Sequence, residues 1–297
     1  MTRAARETFQ TIRDLIRFGV TTFNEAKVAY GHGTDNAYDE AVYLTLSTLS
    51  LPLDKLEPFL DARLTAAEIN SLIQVFERRV ANRLPAPYLT HEAWHLGYRF
   101  YVDERVIIPR SFIGELLADR LAPWVEDPDA ELSVLDLCTG SGAIAIQAAH
   151  AFPNAKIDAI DLSMDALKVA ARNVADYGLS ERVRLIQSDL FGQLSRERYD
   201  LILSNPPYVN AESMQRLPPE FQHEPAMALA GGKDGMDLVR KILRGARSHL
   251  NSGGQLVLEI GHERRHFEAA FPDMSVTWLS TSAGDDAVLH IAQDRLP

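Results

Sequence analysis

The sequence predicts an α/β fold: a mostly parallel sheet of seven strands with a terminal antiparallel strand, preceded by a small helical domain. Three observations carry this. Apolar residues recur at helical spacing through positions 1–85, strand and helix patterns alternate from about Ser111 onward, and the last two strand-like runs follow each other with no helix between them.

In the first segment Phe9, Ile12, Leu15 and Ile16 lie on one helical face, as do Ile69, Leu72, Ile73, Phe76 and Val80. Thr65-Ala66-Ala67-Glu68 opens the second run as a capping box, the Thr oxygen accepting from a free amide and the Glu reaching back. The helices are expected to stop before Leu84-Pro85-Ala86-Pro87-Tyr88, because each proline disfavours helix in the residue before it. Positions 86–110 then read as a linker and β-hairpin, with Trp94-His95-Leu96-Gly97-Tyr98-Arg99-Phe100-Tyr101 as the turn-punctuated pair. From 111 to 297 a helix over 111–122 is followed by strands near 133–137, 156–160, 183–187, 199–203 and 254–260, separated by helical stretches. That alternation is the mark of a parallel sheet with crossover helices. Val276-Thr277-Trp278-Leu279 and Ala287-Val288-Leu289-His290-Ile291 complete it as an antiparallel pair.

The chain has 297 residues, 46% of them apolar and 24% charged, enough for two domains with sizeable cores. Its formal charge of -11 argues against affinity for nucleic-acid backbone, which rests on Lys and Arg displacing counterions, so no direct DNA binding is expected. Positions 1–100 hold 11 basic and 12 acidic residues, whereas the remainder holds 19 and 29. An acidic cleft in the larger domain could therefore steer a basic protein. Cys138 is the only cysteine, which excludes an intrachain disulfide. Met1-Thr2-Arg3-Ala4-Ala5-Arg6-Glu7 lacks the apolar core of a signal peptide, and no apolar run could span a bilayer, so no membrane partner and a cytoplasmic location are expected.

Val134-Leu135-Asp136-Leu137-Cys138-Thr139-Gly140-Ser141-Gly142-Ala143 reads as a buried strand, a turn of small residues and a helix start. Glycines there let the backbone approach a ligand, and the helix N-terminus offers free amides. The next strand ends at Asp161, whose carboxylate suits ribose hydroxyls, and a third ends near Asp189, placed for an adenine amino group. On this loop alone a nicotinamide dinucleotide fits as well as any other nucleotide-like cofactor. The structural alternatives are a core-edge carboxylate tied to loop amides for Asp136 and a helix N-cap for Asp189.

Asn205-Pro206-Pro207-Tyr208 follows the strand Tyr199-Asp200-Leu201-Ile202-Leu203-Ser204, at the end of a central strand where open α/β sheets place their ligands. Two prolines fix the turn and remove amide donors, leaving backbone carbonyls and the Asn205 oxygen as a rigid set of acceptors. An amide or aromatic amino nitrogen is a poor nucleophile because its lone pair is delocalised. Acceptors on its N–H bonds favour the pyramidal transition state, so this is electrostatic preorganisation that needs no strong base. Tyr208 can pack over the planar group, and the plainer alternative is a proline-rich turn that closes a strand.

The chain resembles the protein glutamine methyltransferases, which modify the side-chain amide nitrogen (N5) of glutamine in translation proteins. Within them it is most similar to the branch acting on the large-subunit ribosomal protein L-three, rather than the branch acting on peptide release factors. The resemblance covers nearly the whole chain and rests on Glu104-Arg105-Val106-Ile107-Ile108-Pro109-Arg110-Ser111, Leu137-Cys138-Thr139-Gly140-Ser141-Gly142, Asn205-Pro206-Pro207-Tyr208-Val209 and His223-Glu224-Pro225. It implies a Rossmann-like class I methyltransferase domain at 111–297 and a substrate-recognising helical domain at 1–85. It also implies S-adenosylmethionine as cofactor and S-adenosylhomocysteine as product, with no metal. In that picture Asp136, Thr139, Gly140, Ser141, Gly142, Asp161, Asp189 and Asn205 bind the cofactor. Asn205, Pro206, Pro207 and Tyr208 hold the glutamine, and Asn205, Pro206 and Tyr208 form the catalytic set. The partner would be ribosomal protein L-three, met before or during ribosome assembly. Two departures bear on substrate fit: Phe112 where the family has proline, and Ala283-Gly284-Asp285-Asp286 in place of a Gly-Gly-Asp-Gly turn.

Other signals carry less. His262-Glu263-Arg264-Arg265-His266 has the spacing of a zinc-protease helix, but it directly follows a strand and no third ligand motif comes after it, so exposed helix polarity accounts for it. Cys138 reads as a small residue beside the ligand rather than a reactive thiol. His223-Glu224 reads as a lid contact before an acid/base pair. The competing functions are adenine amino methylation of nucleic acid, glutamine methylation of release factors, a dehydrogenase, and a non-catalytic ribosomal-protein assembly factor.

Overall fold

A computed structural model of the chain describes residues 8–194 and 196–297, so the opening Met1-to-Glu7 stretch lies outside the described residues. The chain divides into two compact units, one of residues 1–93 with 217–223 and one of residues 94–216 with 224–297.

The smaller unit is built on α1 (Ile12–Glu25), α2 (Ala37–Thr48) and α3 (Ala66–Ala81). Each begins at a residue whose side-chain oxygen accepts a free amide of the first turn: Thr11, Asn36 and Thr65. The capping box read from Thr65 and Glu68 is present, the Glu68 carboxylate accepting the Thr65 amide at 2.7 Å. A second box, Thr11 with Asp14, starts α1. The predicted faces of Ile12, Leu15, Ile16, Ile69, Leu72, Ile73 and Phe76 meet in one core, where Phe23 packs edge-on to Phe76 with ring centres 5.4 Å apart.

Through that core runs Arg79, fully buried, its guanidinium 2.7 Å from Glu40 and 3.4 Å from Glu220 and donating to the Ala29 carbonyl at 2.8 Å. A buried cation is tolerated only when paired in this way. Glu220 comes from the 217–223 segment, distant in sequence, and also accepts from Arg83 at 3.1 Å. Where the prolines were expected to end helix, α4 (Ala86–Thr90) makes one more turn. Pro87 stands in its first turn, where a missing amide costs no intrahelical bond.

The hairpin is formed by β1 (Glu92–His95) and β2 (Tyr98–Tyr101). In the larger unit α5 spans only Ile113–Ala118, shorter than the expected 111–122, because Arg120 and Leu121 turn into the left-handed region. The strands are β3 (Ser133–Leu137), β4 (Lys156–Asp161), β5 (Val183–Gln187), β6 (Tyr199–Ser204), β7 (Leu250–Glu259), β8 (Thr277–Thr281) and β9 (Gly284–Ala292). The helices between them include α6 (Ala143–Ala151), α7 (Met164–Asp176), α8 (Ala211–Gln215), α9 (Asp237–His249) and α10 (Arg264–Ala270).

Among the described residues these strands make one seven-stranded sheet in the order β5-β4-β3-β6-β7-β9-β8. β3 to β7 pair in parallel, and β9 runs antiparallel to both β7 and β8, which is the predicted terminal reversal. The central strands are apolar on both faces because helices cover both, and α6 is buried almost all round for the same reason. From β3 the chain goes outward to β4 on one side, while β6 lies on the other. The crevice at their C-terminal ends is therefore the switch point at which such sheets bind ligands.

Candidate active site

At that switch point lies a cleft walled by the ends of β3, β4, β5 and β6 and by the segment before α5. Its lining includes Cys138, Gly140, Asp161, Asp189, Asn205 and Pro207, so the three predicted strand ends and the proline loop open onto one space. Ile160, Leu162, Leu190, Val106 and Ile107 supply apolar wall between these polar groups, the usual character of a site for a small organic ligand.

The loop after β3 places Cys138, Gly140 and Gly142 at positive φ of 63, 55 and 82°. It is held from behind by Asp136, fully buried, whose Oδ2 accepts from Thr139 Oγ1 at 2.6 Å and from the Ala145 amide at 3.1 Å. Burial pushes the Asp136 carboxyl up to about 7, against the pull of those two bonds, and its Oδ1 is buried without a hydrogen-bond partner. A Cβ built on Gly140 would meet nothing within 4 Å. One on Gly142 would press to 3.3 Å from Ala170, so that glycine serves helix packing.

Asp161, at the end of β4, accepts the Gly140 amide at 2.9 Å and the Ser163 amide at 2.8 Å, tying the loop to the next strand. Burial raises its pKa, with these backbone bonds opposing. Asp189 is exposed on the cavity wall; it stands at an N-cap position but makes no side-chain capping bond. The Cys138 thiol is pushed up by burial and by the carboxylates of Asp161 and Asp136, which keeps it protonated and unreactive.

The proline loop follows Ser204, whose hydroxyl donates to the Leu137 carbonyl at 2.9 Å and so ties β6 to β3. Asn205 is half-buried, Pro206 and Pro207 are buried. Beyond them Val209 bridges to Ala230, its amide bonding the Leu229 carbonyl at 2.8 Å. Backbone packs so closely here that a Cβ on Gly231 would come within 2.7 Å of the Tyr208 Cα, and one on Gly235 within 2.2 Å of the Tyr208 carbonyl oxygen.

Comparison with known proteins places this arrangement. A methyltransferase small domain model matches residues 115–232. The chain is 60% identical to a ribosomal protein uL3 glutamine methyltransferase of Burkholderia pseudomallei, over 97% of this chain and 96% of that one. It is 58% identical to the protein of the same name in Bordetella pertussis, over 98% of each. The chain belongs to the ribosomal protein uL3 glutamine methyltransferase family. Among solved structures the catalytic domain of hMettl16 bound to a MAT2A 3'UTR hairpin superposes with a TM-score of 0.50 at 12% identity, covering 76% of this chain and 80% of that one, a likeness of fold.

In this member of the uL3 glutamine methyltransferase family the expected site residues fall into two groups. Gly140, Asp161, Asp189, Asn205 and Pro207 line the cavity. Thr139, Ser141 and Gly142 shape the loop behind it, and Asp136 sits deeper still, so the expectation of a direct ligand contact for Asp136 meets a residue that braces the loop. Pro206 and Tyr208 are likewise not on the cavity wall. The Tyr208 hydroxyl points to Glu259 Oε1 at 3.4 Å, and burial raises its pKa.

The residues read as a lid contact, His223 and Glu224, bond to different segments. The His223 ring lies 2.7 Å from the Asn82 carbonyl oxygen, whereas Glu224 accepts from the Ile108 amide at 3.0 Å and from both Arg110 nitrogens at 2.5 and 2.7 Å. Glu263 and His266 bond each other and Asn210 donates to Glu263 at 2.7 Å; among the described residues no cluster of three metal-ligating side chains occurs.

Sequence reasoning missed Glu259, Gly231, Gly235 and Gly261. Signals for them existed: a carboxylate inside the apolar run Leu256-Val257-Leu258-Glu259-Ile260, and the glycine-dense Gly231-Gly232-Lys233-Asp234-Gly235.

Proposed function

We propose that this chain transfers a methyl group from S-adenosylmethionine to the side-chain amide nitrogen of a glutamine in ribosomal protein uL3. The observation that carries the reading is that Asn205 and Pro207 share one cavity with Gly140, Asp161 and Asp189. An acceptor-rich loop suited to a planar nitrogen thus adjoins a crevice walled by the carboxylates of Asp161 and Asp189. Identity of 58–60% over nearly the full length to proteins named for that reaction supports it.

The residues present fit the cofactor. Asp161 offers carboxylate oxygens at the cavity for ribose hydroxyls, Asp189 has a carboxylate uncommitted to capping, and open space over Gly140 admits the amino-acid end. When bound, S-adenosylmethionine supplies a methyl group on cationic sulfur and leaves as the thioether S-adenosylhomocysteine. Thr139, Ser141 and Gly142 hold the loop's shape around it, and Asp136 acts through them.

Asn205, on the cavity wall, would accept one amide N–H bond of the glutamine, and the carbonyl of the adjoining Pro206, which does not line the cavity, would accept the other as the amide docks. As the nitrogen–carbon bond forms, the amide resonance is lost and the nitrogen becomes cationic, so both acceptors bind more strongly in the transition state than before it. The nitrogen then gives up one proton to solvent and regains its planar form. Pro207, on the cavity wall, would border the group, and Tyr208, next along the loop, would limit its rotation.

The helical unit of residues 1–93 and 217–223 recognises the protein substrate, met free or during ribosome assembly in the cytoplasm. The acidic balance of the remainder suits a basic partner and disfavours DNA. No helix among the described residues is long and apolar enough to cross a membrane. The test is methyl transfer from labelled S-adenosylmethionine to purified uL3, a peptide release factor, and nucleic acid in parallel. Label in uL3 alone is expected, and label in nucleic acid but not in uL3 would overturn the reading.

A further inference from the structure

Glu259 is a fully buried carboxylate that the transfer step above does not use. It stands at the end of β7, one residue past the Leu258 that pairs with Ser204 of β6, and so flanks the start of the proline loop. Its Oε2 accepts from Ser111 Oγ at 2.6 Å and from the Phe112 amide at 2.9 Å, while its Oε1 faces the Tyr208 hydroxyl at 3.4 Å. Two residues on, Gly261 has φ of 54°, and a Cβ there would fall 2.5 to 2.9 Å from the Tyr208 ring and hydroxyl. The ring therefore lies on bare backbone at Gly261, with its hydroxyl facing Glu259. A buried carboxylate is tolerated only where its bonds are made, and here those bonds join the Ser111-Phe112 segment to Tyr208.

We infer that Glu259 and Gly261 are positioning residues for the proline loop: they hold the Tyr208 ring in one orientation and tie it to the Ser111-Phe112 segment. The inference rests on the proposed methyl transfer for its kinetic consequence and on geometry alone for its structural one. A ring fixed at both edge and hydroxyl keeps the border of the amide site rigid. Freed, it lets the substrate amide rotate away from its acceptors, lowering kcat while leaving cofactor binding as it was.

Glu259→Gln separates this role from simple support of the fold. The glutamine oxygen can still accept from Ser111 and Phe112, but its NH2 group then faces Tyr208 and cannot accept the hydroxyl proton. A kcat lower by about three- to tenfold is expected, the size of one lost hydrogen bond, with unchanged S-adenosylmethionine affinity. Tyr208→Phe should lose a similar factor, and the double variant should be no slower than the worse single one, because both remove the same interaction. Losses that multiply in the double variant would overturn the inference even with wild-type turnover on uL3 intact.

A second readout needs no substrate. With 13C-labelled tyrosine, the Tyr208 ring signal, assigned through Tyr208→Phe, should report slow ring flipping in the wild type. Fast flipping is expected in Glu259→Gln, and an identical signal in the two would contradict the inference whatever the reaction proves to be. If Glu259→Gln does not fold, Gly261→Ala serves: its methyl group should displace the ring and lower kcat, with little further loss in a Tyr208→Ala background. Equal loss from Gly261→Ala in both backgrounds would count against it.

Discussion

Asn205 is the residue on which turnover should depend most, because in the proposed reaction its oxygen accepts from a nitrogen whose charge develops only in the transition state. Asn205→Ala is expected to keep near-normal S-adenosylmethionine affinity and to lose turnover by on the order of a hundredfold or more; isothermal titration alongside initial rates checks both halves. Asp136 yields a different expectation. Its carboxyl is raised to about 7 by burial, against about 3.9 in an unfolded chain, so the folded state binds the proton more tightly. Stability from this group is full below about pH 4 and is lost as pH rises through about 7. Glu259, also raised to about 7, adds in the same direction. Urea unfolding across that range should show a decline that is shallower in Asp136→Asn; an identical slope would contradict the assignment. Asp161, Asn205 and the glycines were legible in the sequence because each sits where a strand pattern stops. The position of Asp136 behind the loop was legible only as the alternative reading, a core-edge carboxylate tied to loop amides, since strand alternation does not say which carboxylate at a strand end turns inward.

The elements that announced themselves did so through local chemistry. Thr65 and Glu68 marked the start of α3 because a capping box is decided within four residues, and Thr65→Ala should lower the unfolding free energy of the helical unit by about 1 kcal/mol, read as a lower melting temperature with unchanged fold by circular dichroism. The five parallel strands were legible because strands covered on both faces read as short apolar runs, and the last two because no helix stands between them. α4 was not foreseen, because the prolines read as the end of the preceding helix, whereas Pro87 also stands in the first turn of a new one. The insertion of 217–223 into the helical unit was equally hidden. Its anchor is the buried pairing of Glu220 with Arg79, a contact across 141 residues that no local pattern encodes.

For the whole molecule, a cofactor that binds only the folded state stabilises it by about 2.7 kcal/mol at a hundred times its dissociation constant. S-adenosylmethionine should therefore raise the melting temperature of the wild type, and Asp161→Ala should abolish the rise; NADH should leave both unmoved. The order of the sheet put the cavity where the switch-point rule requires it, so the reaction type could be read from sequence and fold together. The identity of the substrate could not: the acceptors of Asn205 and Pro206 suit a glutamine amide and an adenine amino group alike, and the choice rests on charge and on the full-length relatives. The direct test is mass spectrometry of uL3 purified from cells with and without this gene, with release factors measured alongside. One glutamine of uL3 should be 14 Da lighter when the gene is absent and restored by the wild type but not by Asn205→Ala, release factors being unaffected. Unchanged uL3 mass, or a methyl group lost from release factors instead, would contradict the account.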